Sequence, residues 1–187
     1  MRSHAAALML RFDAIPARRA ATVLMLAMAV GGCQTAGTYD APLVKNSNVL
    51  GGRIVALGGS PAKGFINVQR RAGGVTLIVN LNDVGPGVYR VAFHTNGNCS
   101  SRNGFSAGPP WAPPGAEVRT YEGFMNSDGL LNMSVPLSDI PMEPPDGLYG
   151  RSVVVHYGLT GSLDAEPGVR NNRIACVVLT DVLEAAF

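Results

Sequence analysis

From Gly51 onward, apolar residues fall in short runs, often on alternate positions, with Gly, Pro and Asn between them roughly every eight to twelve residues. Alternation with a period of two places successive side chains on opposite faces of a strand. The pattern predicts strands at Arg53–Leu57, Gly64–Arg70, Val75–Leu81, Val88–Thr95, Val118–Phe124, Leu130–Val135, Ser152–His156 and Arg173–Leu179. The clearest signal is Gly87–Ser100, GVYRVAFHTNGNCS. Val88, Arg90, Ala92 and His94 alternate there with Tyr89, Val91, Phe93 and Thr95, and Asn96-Gly97-Asn98 supplies a reversal, because Asn and Gly tolerate positive φ. After Gly51 no segment sustains a helical period, and the last turn, Asp181–Ala186, is the one candidate for helix. Short, regularly spaced strands predict an all-β Greek-key sandwich or barrel of about eight strands. Two connections, Asn96–Glu117 and Tyr157–Asn172, are too long for hairpins, and long loops on a compact β scaffold are where function concentrates.

The N-terminal region has a different texture. Arg11, Arg18 and Arg19 precede the apolar run Ala20–Val30, which is too short to span a bilayer and reads as the core of an export signal. It ends in Val30-Gly31-Gly32-Cys33, which looks like a bacterial lipobox, in which the Cys is lipidated and becomes the first residue. An ordinary secretory signal that happens to contain a Cys is the alternative. The polar stretch that follows reads as a tether. Gln34, rather than Asp, follows the Cys, which under the usual bacterial sorting rule favours the outer membrane. The expected organisation is a signal peptide over residues 1–32, a tether over 33–50, its linker texture clearest over 34–48, and one domain over 51–187. The chain would be lipid-anchored in the cell envelope and face the periplasm.

Removing the signal changes the charge and cysteine readings. The whole chain has 15 basic and 13 acidic residues, for a formal charge of +2. Arg2, Arg11, Arg18, Arg19 and Asp13 belong to the signal, so the remaining part carries eleven basic and twelve acidic residues. Without a basic excess, nucleic acid is not an expected partner. Of three cysteines, Cys33 is spent on lipid, and Cys99 and Cys176 remain as an even pair in an exported protein. A bridge between them would close a loop of roughly 78 residues and contribute about 4 kcal/mol in the chain-entropy model. Two free thiols are the alternative. No nucleophile elbow, phosphate-binding loop, paired catalytic carboxylates or HExxH is present. Gly58-Gly59-Ser60 and Gly73-Gly74 read as hairpin turns.

Several segments in order carry a resemblance. Gly87–Cys99 keeps the frame of a Gly-x-His-Gly-Phe-His-x-His strand followed by a Gly and a Cys, with His94 at the last His. Gly73–Pro86 matches the strand and turn that lead into it. Ser106-Ala107-Gly108-Pro109-Pro110-Trp111-Ala112-Pro113 is similar to Ser-Ala-Gly-Gly-His-Phe-Asn-Pro. Gly150–His156 fits Gly-Arg-x-x-x-x-His, and Asn172–Cys176 fits x-Arg-x-Ala-Cys. Together these resemble the bacterial Cu/Zn superoxide dismutases across most of residues 51–187. The resemblance implies that family's sandwich fold and a Cys99–Cys176 disulfide. It also implies that Arg173 matches the active-site Arg, whose charge steers the anion and whose guanidinium braces the disulfide loop.

The departures from the family fall on its metal ligands. The first copper His matches Ala92, and the bridging His matches Pro110. The zinc positions fall in Trp111–Phe124, where His-x-Gly-Asp is met by Tyr121-Glu122-Gly123-Phe124. Only His94 and His156 keep a histidine at a copper-ligand position. The resemblance therefore implies that dismutase activity and the zinc site are lost, with Tyr121, Phe124 and the prolines packing where metal once anchored the loop. The expected role is binding or structural, with no cofactor and with room for a protein partner of unspecified kind. The alternative is a copper-binding protein or weak copper-only dismutase using His94 and His156. A third reading recruits ligands from Met125, Met133, Met142, Glu117 and Glu122.

Overall fold

The computed structural model describes residues 43–125, 128–159, 163 and 172–185. The signal peptide, Cys33 and most of the expected tether lie outside the described residues, as does most of the second long connection. The described chain is an all-β sandwich of ten strands. They are β1 (Leu43–Arg53), β2 (Val55–Ala56), β3 (Lys63–Arg71), β4 (Gly74–Asn82), β5 (Gly87–His94), β6 (Thr120–Met125), β7 (Leu131–Leu137), β8 (Ser152–Tyr157), β9 (Arg173–Val178) and β10 (Asp181–Ala185). One 3-10 turn, Phe105–Ala107, interrupts the first long loop.

Two antiparallel sheets pack face to face, one in the order β10-β1-β3-β4-β7 and the other in the order β2-β9-β8-β5-β6. Their inner faces meet as the alternation predicts. Ile66 and Val68 of β3, Leu77, Val79 and Leu81 of β4 and Leu131 of β7 face Tyr89, Val91 and Phe93 of β5. Val153 and Val155 of β8 and Ala175 and Val177 of β9 complete the layer. Fully burying such a side chain contributes about 1.5–3 kcal/mol. The two sheets differ on their outer faces. In β3 and β4 every second residue reaches solvent, whereas the second half of β5 and most of β8 are buried on both sides. The loop over residues 96–117 lies across that outer face. Beneath it a second small core gathers Leu57, Cys99, Ala107, Val154 and Cys176.

Three expectations are corrected. The domain begins before Gly51: the linker expected over 34–48 gives way at Leu43 to β1, which pairs with β10 and β3. Asp181–Ala185 is the strand β10 and not a helical turn, because pairing with β1 overrides the helix preference of Leu, Glu and Ala. Arg53–Leu57 is not one strand. The chain leaves β1 at Arg53 and joins the opposite sheet as β2, pairing with Cys176 and Ala175 of β9. The remaining strands fall within a few residues of their predicted places.

The Cys99–Cys176 disulfide is present, with Cα atoms 5.8 Å apart. It staples the loop over 96–117 to β9. Replacing both cysteines by serine is expected to lower unfolding free energy in urea by about 2–5 kcal/mol. A change below 1 kcal/mol would show that the loop is held by its other contacts.

Candidate metal centre

The covered outer face of the second sheet carries the candidate site. Parity on β5 sends Arg90, Ala92 and His94 outward, and on β8 it sends Ser152, Val154 and His156 outward. His94 stands opposite Ser152, Ala92 opposite Val154, and Arg90 opposite His156. The two histidines are therefore separated by the Ala92–Val154 pair. Because Ala92 is small, the imidazoles close over it, and His94 and His156 are both 0% exposed. Their Nε2 atoms face each other at 3.3 Å. The ring centroids are 5.5 Å apart and the planes lie within 19°. That centroid separation exceeds the Nε2 gap by about two ring radii, so the rings meet head to head.

The far side of each ring fixes its tautomer. His94 Nδ1 lies 2.8 Å from the carbonyl of Gly108, and His156 Nδ1 lies 3.1 Å from Oδ1 of Asn172. A carbonyl oxygen only accepts, so each of these contacts is a hydrogen bond only with the proton on Nδ1. A neutral imidazole has one N–H, which leaves both Nε2 atoms with lone pairs aimed at one another. The contact becomes favourable only with a cation or an added proton between them. Among the described residues the buried Ser152 hydroxyl, on the strand opposite His94, has no hydrogen-bond partner.

Gly108 is the hinge of this arrangement. Its φ is +77°, and a Cβ would fall 2.4 Å from Thr95 Oγ1 and 2.8 Å from Asn96 Nδ2, so only glycine fits. The bridge of Pro110 to His94 brings this segment against β5 as an added edge. Arg173, 2% exposed, lies behind. Its guanidinium donates to the carbonyls of Gly104 at 2.7 Å, Leu163 at 2.6 Å and Gly108 at 3.4 Å. It thus braces the loop that carries Gly108, as the resemblance implies.

Of the other ligand-matched positions, Ala92 and Pro110 lie at the histidine pair, while Tyr121 and Phe124 do not converge on it. Ala92 is buried under the histidine pair. Tyr121 and Phe124 occupy opposite faces of β6. Tyr121 packs edge-on against Phe93 with centroids 6.0 Å apart, while Phe124 is 66% exposed. The expectation that both would anchor the loop is corrected: Tyr121 packs inward, and the strand register turns Phe124 to solvent. The loop is anchored by Trp111, which receives the Arg151 guanidinium at 3.8 Å from its ring centroid. The crevice between Trp111, Tyr121 and the Arg119–Asp139 ion pair is about 10 Å³, room for a single water. Met125 and Met142 are buried in the inter-sheet core and Met133 packs against it, away from the outer face that carries the histidines. Among the described residues no three His, Cys, Asp or Glu side chains gather as a metal cluster.

Asn172 and Gly108 are the working residues that sequence reasoning passed over. Each stands next to a residue it singled out, Arg173 or Pro109-Pro110, but nothing in their identity reveals which atom they face. No protein-family model matches the chain.

Burial pushes the His156 imidazole down to about 3. The Asn172 hydrogen bond opposes that shift, and positive charge on His94, Arg173 and Arg90 adds to it. The folded value lies below the unfolded value of about 6.5, so the unfolded chain takes up the proton first. The contribution to stability is complete above pH 6.5 and is lost progressively as pH falls toward about 3. With chelator present, the native chain is expected to lose about 2 kcal/mol more than a His156→Gln variant between pH 7 and pH 5. Denaturant titrations at the two pH values measure the difference, and equal losses would contradict it.

Proposed function

We propose that this chain is a superoxide dismutase-like domain, held in a bacterial cell envelope by lipid on Cys33, that binds rather than catalyses dismutation. The observation that carries this reading is the split of Tyr121 and Phe124 to opposite faces of β6, beside a loop anchored by the contact of Trp111 with Arg151. Phe124 offers no donor atom and turns to solvent, and structural zinc requires four ligands. The zinc of the family therefore does not fit the described residues. The periplasm-facing outer membrane is the expected location, through the lipobox-like Val30–Cys33.

A second reading is favoured by the head-to-head histidines: the pair holds copper. Two neutral imidazole nitrogens are a donor set suited to Cu(I), and imidazole suits copper in general. The 3.3 Å gap is short of two metal–nitrogen bonds of about 2 Å laid end to end, so a small separation of the rings would accompany binding. His94 and His156 would hold the ion, and copper there would supply one-electron redox chemistry. Gly108 and Asn172 keep the two Nε2 atoms available, and the covering loop excludes bulk water. Two nitrogens fall short of the fuller donor set that the resemblance associates with dismutation, which keeps binding ahead of catalysis.

Metal per chain after dialysis against copper and zinc, together with a superoxide assay, tests both readings. The expected result is less than about a tenth of an equivalent of zinc and no copper-dependent dismutation; robust dismutation would overturn the first reading. Under the second reading Cu(I) binds tightly, and His94→Ala or His156→Ala abolishes binding. Ala92→His would place a third imidazole between the two and is expected to raise copper affinity at least about tenfold, since even an outer partner of a metal ligand is worth about 10–100-fold. Competition with a chromophoric Cu(I) chelator measures it, with urea denaturation confirming that the variant folds.

A further inference from the structure

We propose that Asn172 is the positioning residue of the histidine pair: its side-chain amide locks His156 in the Nδ1–H tautomer and so keeps the Nε2 lone pair turned toward His94. The purpose of this device rests on the copper reading, but its geometry does not.

The orientation of the amide follows from its other partner. Asn172 Nδ2 donates to the carbonyl of Tyr157 at 3.1 Å. That carbonyl cannot donate, so a flipped amide would set oxygen against oxygen there. The Nδ2 end is thus fixed, and the Oδ1 end is turned to His156 Nδ1 at 3.1 Å. The backbone adds a second tie, because Tyr157 N–H donates to the Asn172 carbonyl at 2.8 Å. Asn172 is therefore clamped on Tyr157, the residue after His156, by one side-chain and one backbone bond. Arg173, the next residue, pairs in register with His156. The start of β9 thus places the amide beside the imidazole by strand pairing alone.

The consequence lies at the other end of the ring. Without an acceptor at Nδ1, His156 would gain by carrying its proton on Nε2 and donating across the 3.3 Å gap to His94. That hydrogen bond would close the pair to an ion. With Asn172 in place the proton is held on the far side, and the acceptor end stays free to coordinate. Gly108 does the same for His94 through a backbone carbonyl. Asn172 is the control whose acceptor atom a side-chain substitution removes directly.

The test uses the purified chain with labelled histidine nitrogens. In the metal-free native protein at neutral pH, long-range ¹H–¹⁵N spectra are expected to show His156 protonated on Nδ1. Asn172→Leu is expected to move that proton to Nε2 and to weaken Cu(I) binding, read by chelator competition, about 10–100-fold. Asn172→Asp keeps an acceptor for Nδ1, although its second oxygen meets the Tyr157 carbonyl, and is expected to retain the Nδ1–H tautomer. An Nε2–H tautomer in the native chain overturns the proposal, as does a folded Asn172→Leu variant with unchanged tautomer. If Asn172→Leu does not fold, the native spectrum and Asn172→Asp decide. Tautomers as stated with no Cu(I) binding in any form would leave the positioning role standing and remove the copper reading. Cu(I) bound equally by the native chain and Asn172→Leu would do the reverse.

Discussion

The carbonyl of Gly108 accepts from two side chains at once, His94 Nδ1 at 2.8 Å and Arg173 Nη2 at 3.4 Å. Both donors stand on the outer face of the second sheet, and both would be solvated there if the loop lifted away. Burying an arginine is costly unless its N–H groups find acceptors, and the carbonyls of Gly104, Gly108 and Leu163 supply them. The loop is thus drawn down onto the sheet by polar contacts as much as by the apolar cluster of Leu57, Ala107 and Val154. Gly108 can serve only because it lacks a Cβ, which would strike Thr95 and Asn96. From that contact follow the double burial of β5 and β8, the burial of the histidines and the short approach between them.

Much of this was legible in the chain, for physical reasons that also mark the limit. The inner faces of β3, β4, β5 and β8 could be read because burial on one side imposes a period of two. The histidines could be placed on one face of their strands for the same reason. β10 could not be read, since Asp181–Ala185 has no strand pattern of its own and is extended only because β1 lies beside it. Phe124 was misjudged because its residue type suggests burial, while its face is set by the register of β6 against β5. Asn172 carries no signal in sequence at all. Its role depends on which end of a symmetric-looking amide meets which neighbour, and a carbonyl on another strand settles that.

The histidine pair also bears on how the fold stands without a clustered metal site among the described residues. A disulfide, the Trp111–Arg151 stack and a glycine-gated loop hold the outer face together, so the imidazoles are not needed as a structural anchor. They are an expensive way to fill the space. Two buried rings with facing Nε2 atoms gain less than two apolar side chains of similar volume would, because taking polar ring atoms out of water carries a desolvation cost. Their surroundings add to that expense rather than relieving it: His156 is held far from protonation by burial, so an extra proton is not available to bridge the gap at neutral pH. A cation that tolerates two nitrogen ligands removes the repulsion without breaking either bond to Gly108 or Asn172. On the proposed copper reading, an ion between the rings would offset that cost while both outer hydrogen bonds stay in place.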